Sequence, residues 1–476
     1  MKRVTILVLG LLGASSSHGL SLDEYLAQAR VKHKGIQSLE ASKSAASYRR
    51  EAGDTVLSPM LTLKASSTDD KSPQNLGTFV TDRTQITEYS LGLGKKFSTG
   101  TNAQILASTS EYKISGADYS RTPPGAFAQT LGKGALGLSL SQSLWKDAFG
   151  NATRLRQERE LQIERAERQS YDLQEQQLLI EAEAAYWDYL YQREELAQRQ
   201  ASLERARKIE NWVRRRVSNG IGDEADVYNA QGLVAGRELQ LLMAQDEILA
   251  GEKRVRDVLE LKDGEALPVL TGDLGASRRL EQMSQGNSGR KIRLDSYLAV
   301  LEAKAKAISA EEVNDGYRPD LVLEGLYRTN SSEPTMTEAT TNMTQTNKPT
   351  QSVALKLVWM LDGDVKHAAR QTAKSEALAA ALRQERKLLE SESSWNEINR
   401  RHSELTKKIN AARVSSEVQN RKAAAQRDKL SKGRAITSDV ITAEQDAAEA
   451  TLTLIKLRAE QRKLEAQGRL FVTMEE

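Results

Sequence analysis

Two stretches of the chain change from an alternating pattern to a helical one within a few residues. Apolar residues alternate with small polar ones across residues 136–144, as in a half-buried strand, and from Asn151 onward the sequence is that of a charged helix. The same change recurs about 216 residues later, where an alternation that starts at Val353 leads into a second charged stretch. Further alternating segments place the predicted strands within residues 60–144 and 320–361.

Long helices are predicted where proline is absent and apolar residues recur every seven positions. Proline is missing from residues 125–267 and 350–476, and proline is excluded from helix interiors. Seven-residue spacing with charged residues in between is a coiled-coil pattern. Two ladders show it, namely Val227, Val234, Leu241, Ile248 and Val255, and then Ala443, Ala450, Leu457, Leu464 and Phe471. The predicted helices are two long ones at 149–218 and 364–430, their return helices at 223–261 and 437–473, and shorter ones at about 22–54 and 290–315.

The chain divides into a leader and two segments with the same order of elements. A basic tip at Lys2 and Arg3, an apolar run and small residues have the layout of a secretory signal peptide at 1–19. A short buried first helix is the alternative. The first structural repeat, 20–288, contains a helix, strands, a long helix, a return helix and a linker at 262–288. The second repeat, 289–476, contains a helix, strands, a long helix and a return helix.

Composition and candidate chemistry narrow the function. A formal net charge of +3 gives no electrostatic reason to expect nucleic-acid binding. The absence of cysteine excludes disulfides and thiol catalysis, and no stretch approaches ~18 consecutive apolar residues, so any contact with membrane lipid has to involve strands. His33, His367 and His402 are isolated, which predicts no metal site. No nucleophile has a recognisable base, so we expect neither an enzyme nor a cofactor.

The predicted strands have one apolar face. It is formed by alternating residues that include Leu61, Leu63, Leu136, Leu138, Leu140, Leu321, Leu323, Val353, Leu355 and Leu357. Strands of about ten residues with one apolar face suit a bilayer-spanning barrel, and a soluble sandwich is the alternative. With an extra hairpin at 86–113 the chain has six strands, fewer than the usual minimum of eight, so oligomerisation is required. If the hairpin lies outside the barrel, each chain contributes four.

The duplicated order of helix, proline, strand, loop, strand, long helix, tip and return helix resembles the TolC-like outer-membrane efflux family. Its most specific parts are the strand-to-helix junctions at Ser139 to Asn151 and Leu355 to Lys366, and the tips "NGIGDEADV" from Asn219 and "KGRAITSDV" from Lys432. The resemblance implies an α+β membrane protein with an internal two-fold repeat. Long antiparallel coiled-coil helices would form an α-helical barrel, continuous with a transmembrane β-barrel shared by a homotrimer. It also implies a location in the outer membrane, in contact with its lipid and extending into the periplasm.

The resemblance further implies site residues at the two tips. The family's contacts with a periplasmic adaptor (membrane fusion) protein fall on Gly220, Ile221, Gly433 and Arg434. Its gate residues fall on Asp226 and Asp439, with Arg434 beside them. The family's second acidic position falls on Thr442 and its gate arginine on Ala435, so the closed-state lock departs from the family pattern. Alternatively, Asp226 and Asp439 are first-turn acids that interact favourably with the helix dipole.

These patterns predict a passive exit channel. In the family, a trimeric duct of a tripartite efflux or type I secretion system receives substrates from an inner-membrane transporter. Drug, metal and protein substrates use the same kind of duct, so the substrate class and the identity of the partner transporter stay open. The alternative is an exported coiled-coil scaffold without a channel, which has no need of an apolar outer sheet face.

Overall fold

The computed structural model describes residues 19–72, 74–75, 80–81, 83–115, 130–278, 280 and 291–473. The predicted signal peptide lies outside the described residues except for Gly19, as does part of the predicted linker. The described chain forms two compact units. The helical unit comprises the described residues of Met1–Lys43, Gln169–Tyr297 and Arg386–Glu476, and the sheet unit comprises those of Ser44–Arg168 and Leu298–Glu385.

Eight α-helices are present in the described residues. They are α1 (Leu22–Lys32), α2 (Lys34–Gly53), α3 (Asn151–Ser218), α4 (Glu224–Leu259), α5 (Leu294–Gly316), α6 (Met336–Asn342), α7 (Gly363–Ser431) and α8 (Thr437–Ala466). The two longest, α3 and α7, have 68 and 69 residues and fall in the proline-free tracts. No described helix is both long enough and apolar enough to cross a bilayer.

The helix ends differ from the sequence prediction in two places. The helix predicted at about 22–54 is interrupted at His33, whose backbone is extended, and the backbone N–H of Lys34 donates to the Glu260 carboxylate. The last helix ends at Ala466 instead of residue 473. Phe471, predicted to continue the heptad ladder, instead begins a short strand, because it pairs with Arg293 and its ring packs 5.0 Å from that of Trp395.

Six strands form one antiparallel sheet in the sheet unit. The described strands are β1 (Met60–Asp70), β2 (Gln74–Asn75), β3 (Val80–Thr81), β4 (Arg83–Lys96), β5 (Thr101–Ser115), β6 (Thr130–Ser143), β7 (Lys291–Arg293), β8 (Asp320–Glu333), β9 (Thr350–Val358) and β10 (Phe471–Thr473). The order in the large sheet is β1-β4-β5-β6-β8-β9, so β1 and β9 are its edges. The hairpin β4–β5 belongs to this sheet and lies between β1 and β6.

The helical unit has an aromatic and aliphatic core where α1, α3 and α4 meet. Tyr186 is fully buried, its ring lies 5.2 Å from that of Tyr25, and its hydroxyl donates to the carbonyl of Thr271 at 2.6 Å. Burial raises the pKa of Tyr186 to about 12, because the phenolate is poorly solvated there. A buried ion pair between Arg462 and Glu465, 2.7 Å apart, lies in the same unit.

Candidate functional site

One face of the large sheet carries continuous apolar rows across its strands. In one row Leu61 faces Leu93, which faces Ile105, then Leu138 and then Tyr327. These five side chains are between 40% and 63% exposed. Soluble proteins rarely expose an apolar patch of this extent unless it contacts another protein or a membrane. The apolar face predicted from the alternating sequence is therefore present, with large side chains aligned by the strand register.

The opposite face of the sheet carries mostly polar and small residues, with Leu106 as an exposed apolar exception. A row on this face runs from Lys64 through Ser90 and Ser108 to Ala135 and Asn330. The two faces alternate because successive side chains of a strand point to opposite sides of the sheet. This combination of an apolar and a polar face suits a wall between lipid and water.

Exposed aromatic residues lie at the end of the sheet where β6 and β9 lead into the long helices. Phe97 follows β4, Trp145 follows β6, Phe149 precedes α3 and Trp359 follows β9, and all four side chains are more than 40% exposed. The ammonium group of Lys366 lies 5.3 Å from the ring centroid of Trp359. Aromatic side chains with nearby cations are typical of the boundary between lipid and water.

The junction between β6 and α3 is built from left-handed residues and one carboxylate. Asp147, Phe149 and Gly150 have φ values of 52°, 48° and 81°, which turns the chain sharply between strand and helix. The Asp147 carboxylate accepts from Thr153 N at 2.9 Å, from Thr153 Oγ1 at 2.7 Å and from Lys96 Nζ at 3.0 Å. Burial favours a raised pKa for Asp147, but these hydrogen bonds outweigh it and hold the pKa below its usual range. Asp147 thus stabilises the start of the helix although it lies four residues before it.

Both helical tips use the same glycine-dependent turn. After α3, the N–H groups of Gly220 and Ile221 donate to the carbonyls of Val217 and Arg216 at 2.9 and 3.0 Å. After α7, the N–H groups of Gly433 and Arg434 donate to the carbonyls of Leu430 and Lys429 at 2.9 and 2.8 Å. Both glycines have φ near +70°, the left-handed conformation that ends a helix in this hydrogen-bond pattern. The sequence "NGIG" and "KGRA" therefore forms two turns of the same kind.

The two tips pack against each other through a small apolar cluster. Val213 and Ala230 from the first hairpin are buried together with Leu430 and Val440 from the second. This cluster holds the two turns at one place in the helical unit, as required if both contribute to a single functional site.

The predicted site residues surround this cluster with unequal exposure. Gly220, Ile221, Gly433 and Arg434 are exposed, as an adaptor contact requires. Asp439 is exposed and Asp226 is partly buried, and each lies in the first turn of its helix. Neither carboxylate has an ion-pair partner within the described part of the chain. The geometry is compatible both with a gate and with a helix-dipole role, so their assignment stays a prediction.

Sequence reasoning missed two polar groups. Asp147 has a recognisable signal, since an aspartate just before a helical pattern is a common capping residue. Arg237, a buried guanidinium, also has a signal, because it occupies the seven-residue track of Ala230 and Ala244, where an apolar or small residue is expected. Within the described residues, no group of three or more histidine, aspartate or glutamate side chains is arranged to hold a metal ion.

The fold is shared with outer-membrane channels of known structure. No protein-family model and no curated protein sequence matches the chain. The outer membrane protein VceC from Vibrio cholerae is 15% identical, with a TM-score of 0.65 over 94% of each chain. The CmeC outer membrane channel of Campylobacter jejuni is 13% identical, with a TM-score of 0.62 over 96% of this chain and 87% of CmeC. The open state of the Neisseria gonorrhoeae MtrE outer membrane channel is 14% identical, with a TM-score of 0.61 over 94% of this chain and 89% of MtrE. The chain therefore has the fold of these outer-membrane channels, and the resemblance drawn from the sequence is confirmed at the level of the fold.

Proposed function

We propose that the protein is an outer-membrane channel in which three copies share one transmembrane β-barrel and one helical tunnel. The observation that carries this proposal is the exposed apolar face, bordered by aromatic residues, on a sheet with two open edges. On strand β4 this face extends from Phe97 to Tyr89, about 27 Å along the strand at ~3.4 Å per residue. A tilt of about 40° reduces that length to roughly 21 Å, close to the ~25 Å apolar band of outer-membrane barrels.

The open edges require a partner. In lipid, every backbone N–H and C=O group needs a hydrogen-bond partner, so a spanning sheet has to close. The edge strands β1 and β9 carry the most exposed apolar side chains, including Leu63 at 75% and Val353 at 81%. Pairing β9 of one copy with β1 of the next in a trimer joins three six-stranded sheets into eighteen strands. Barrels of about 16–18 strands leave an aqueous channel, which the polar face would line.

The helices also carry apolar surface suited to neighbouring copies. On α4, Leu239, Leu242, Met243 and Leu249 are between 58% and 63% exposed and recur at helical spacing. On α7, Val414 and Val418 are each 57% exposed. A coiled-coil contact between copies would bury these side chains and extend the trimer along the helical unit.

The tips are proposed as the gate and docking site. A periplasmic adaptor protein would contact Gly220, Ile221, Gly433 and Arg434, and an inner-membrane transporter would supply the energy for efflux or type I secretion. Adaptor binding would shift the tip hairpins from a closed to an open arrangement, since a partner that prefers one state shifts the equilibrium. Solved structures with this fold are themselves outer-membrane channels, which supports the location of the duct but does not specify its substrate.

Disulfide trapping tests the shared barrel directly, because the chain has no native cysteine. Paired variants combine Leu61→Cys, Leu63→Cys or Ala65→Cys on β1 with Val353→Cys or Leu355→Cys on β9. At least one pair should give oxidised, reduction-sensitive covalent trimers in outer-membrane fractions, since disulfides need Cα atoms about 5.5 Å apart.

The matched control places the first cysteine one strand further in. Leu91→Cys with Leu355→Cys should not crosslink, because β4 is separated from a neighbouring β9 by β1. The wild-type protein should run as a heat-resistant trimer and conduct ions in planar bilayers. A soluble, non-conducting rod without edge crosslinks would instead identify the exported coiled-coil scaffold.

A further inference from the structure

A polar pocket opens between α3, α4 and α8 in the helical unit. Its volume is about 540 Å³, within the range of small-molecule sites. Three cations, Arg199, Arg237 and Lys456, and two carboxylates, Glu195 and Glu449, line it. The described pocket therefore has one more positive than negative side chain.

Arg237 is the unusual member of this set. Its side chain is only 7% exposed, and its Nη1 donates to Oε1 of Gln240 at 2.8 Å. Its Nη2 is buried and has no hydrogen-bond partner in the described part of the chain. No carboxylate of the described residues lies within ion-pair distance of Arg237. Buried guanidinium groups are normally paired, since leaving one unpaired is costly.

The charged side chains around Arg237 do not neutralise its positive charge. Arg199 shares the same Gln240 oxygen at 2.9 Å and is itself paired with Glu195 at 2.9 Å. Burial lowers the pKa of Arg237, the positive charges of Arg199 and Arg205 lower it further, and Glu444 opposes the shift. An anion in the pocket would therefore stabilise the charged form of Arg237.

Two glycines line the α4 side of the pocket next to Arg237. Gly232 and Gly236 lie one turn apart on α4, and a Cβ atom added to either would meet nothing within 4 Å. Glycine in a helix interior is less favourable than alanine by about the same amount as one hydrogen bond. No close contact within one chain accounts for either glycine. Each lies seven residues before Leu239 or Met243, so the α4 face proposed to meet a neighbouring copy continues along this side of the pocket.

We propose that this pocket binds the carboxylate of a small organic anion, with Arg237 as the principal donor and Arg199 beside it. A planar guanidinium matches a carboxylate with two parallel hydrogen bonds. The pocket is much larger than an inorganic ion, and Tyr191, Leu233 and Leu452 offer apolar surface for the carbon skeleton of the ligand. The site is separate from the proposed gate residues.

Thermal unfolding of the full-length detergent-solubilised protein tests the site without any transport assay. Succinate, inorganic phosphate and chloride are titrated at constant ionic strength. Succinate should raise the unfolding temperature saturably, whereas phosphate and chloride should have a much smaller effect. Absence of a saturable succinate effect, or a phosphate effect as strong as that of succinate, would overturn the proposal.

Three variants separate binding from folding. Arg237→Gln keeps a hydrogen-bonding side chain but removes the charge, and it should weaken succinate binding at least about tenfold. Gly236→Leu should block the pocket while Arg237 remains in place, and Gly236→Ala should bind like wild type because a methyl group fits the open space. Unchanged affinity in both Arg237→Gln and Gly236→Leu would show that the anion binds elsewhere.

Discussion

A lysine placed on the apolar sheet face should prevent assembly, whereas one on the adjacent polar position should not. Leu91 lies between Leu63 and Ala107 on the apolar face and is 46% exposed. It is six residues from Phe97, about 20 Å along the strand, which at a tilt of about 40° is roughly 16 Å of depth and lies about 3 Å beyond the middle of a ~25 Å apolar band that starts at Phe97. Lysine at the bilayer midplane costs about 2–4 kcal/mol. Losing the lipid burial of the exposed part of leucine adds about 1 kcal/mol.

The expected cost of Leu91→Lys is therefore about 3–5 kcal/mol per chain, and roughly three times that for a trimer of independent sites. The assays are the yield of heat-resistant trimer in outer-membrane fractions and the urea midpoint after refolding into liposomes. The matched control is Ser90→Lys, which lies on the polar face next to Lys64 and Ser108 and should assemble normally. If Leu91→Lys assembled like wild type, the apolar face would not contact lipid.

Three further changes test local features of the structure. Gly220→Ala should destabilise the first tip by about 1–2 kcal/mol because its φ is +72°, whereas Gly236→Ala should stabilise α4 by about 1 kcal/mol; hydrogen exchange at the two positions should change in opposite directions. Gly150→Ala should abolish assembly, since its Cβ would lie 1.7 Å from the carbonyl oxygen of Ser98, and normal trimer yield would show that the junction is not rigid. Tyr186 keeps its proton up to a pKa of about 12 in the folded state against about 10 when unfolded, so about 2–3 kcal/mol of stability should be lost as the pH rises from 10 to 12. Tyr186→Phe should make that loss smaller in alkaline unfolding curves, and an unchanged slope would contradict the buried assignment.

Local periodicity was sufficient to predict the strands and their apolar face. A strand repeats every two residues, so the side of Leu61 or Leu138 follows from the sequence alone once the strand is recognised. The same holds for the tip glycines, because Gly220 and Gly433 follow directly after helical heptads, where left-handed residues commonly end a helix.

Contacts between residues distant in the chain could not be predicted in this way. The break at His33 is accompanied by a hydrogen bond from Lys34 to Glu260, 226 residues away, and the early end of α8 by pairing of Phe471 with Arg293. The spacing of charged residues also gave no indication that the Arg237 guanidinium lacks an ion-pair partner, since this depends on which carboxylates the fold brings near it. The position of the hairpin β4–β5 within the sheet likewise depended on pairing with β1 and β6.

The two tip carboxylates offer a test that separates a gate from a purely structural role. In the proposed trimer, three copies of exposed Asp439 would form a ring of negative charge that favours cations. Asp439→Asn should therefore lower the cation-to-anion permeability ratio in planar bilayers, with Ser438→Asn as the neighbouring exposed control. Asp226→Asn should have a smaller effect, because Asp226 is partly buried. A first-turn acid that only interacts with the helix dipole contributes about 0.3–1 kcal/mol to stability. If Asp439→Asn changed the unfolding midpoint but not the permeability ratio, the dipole role would hold and the proposed ring would not line the conducting path.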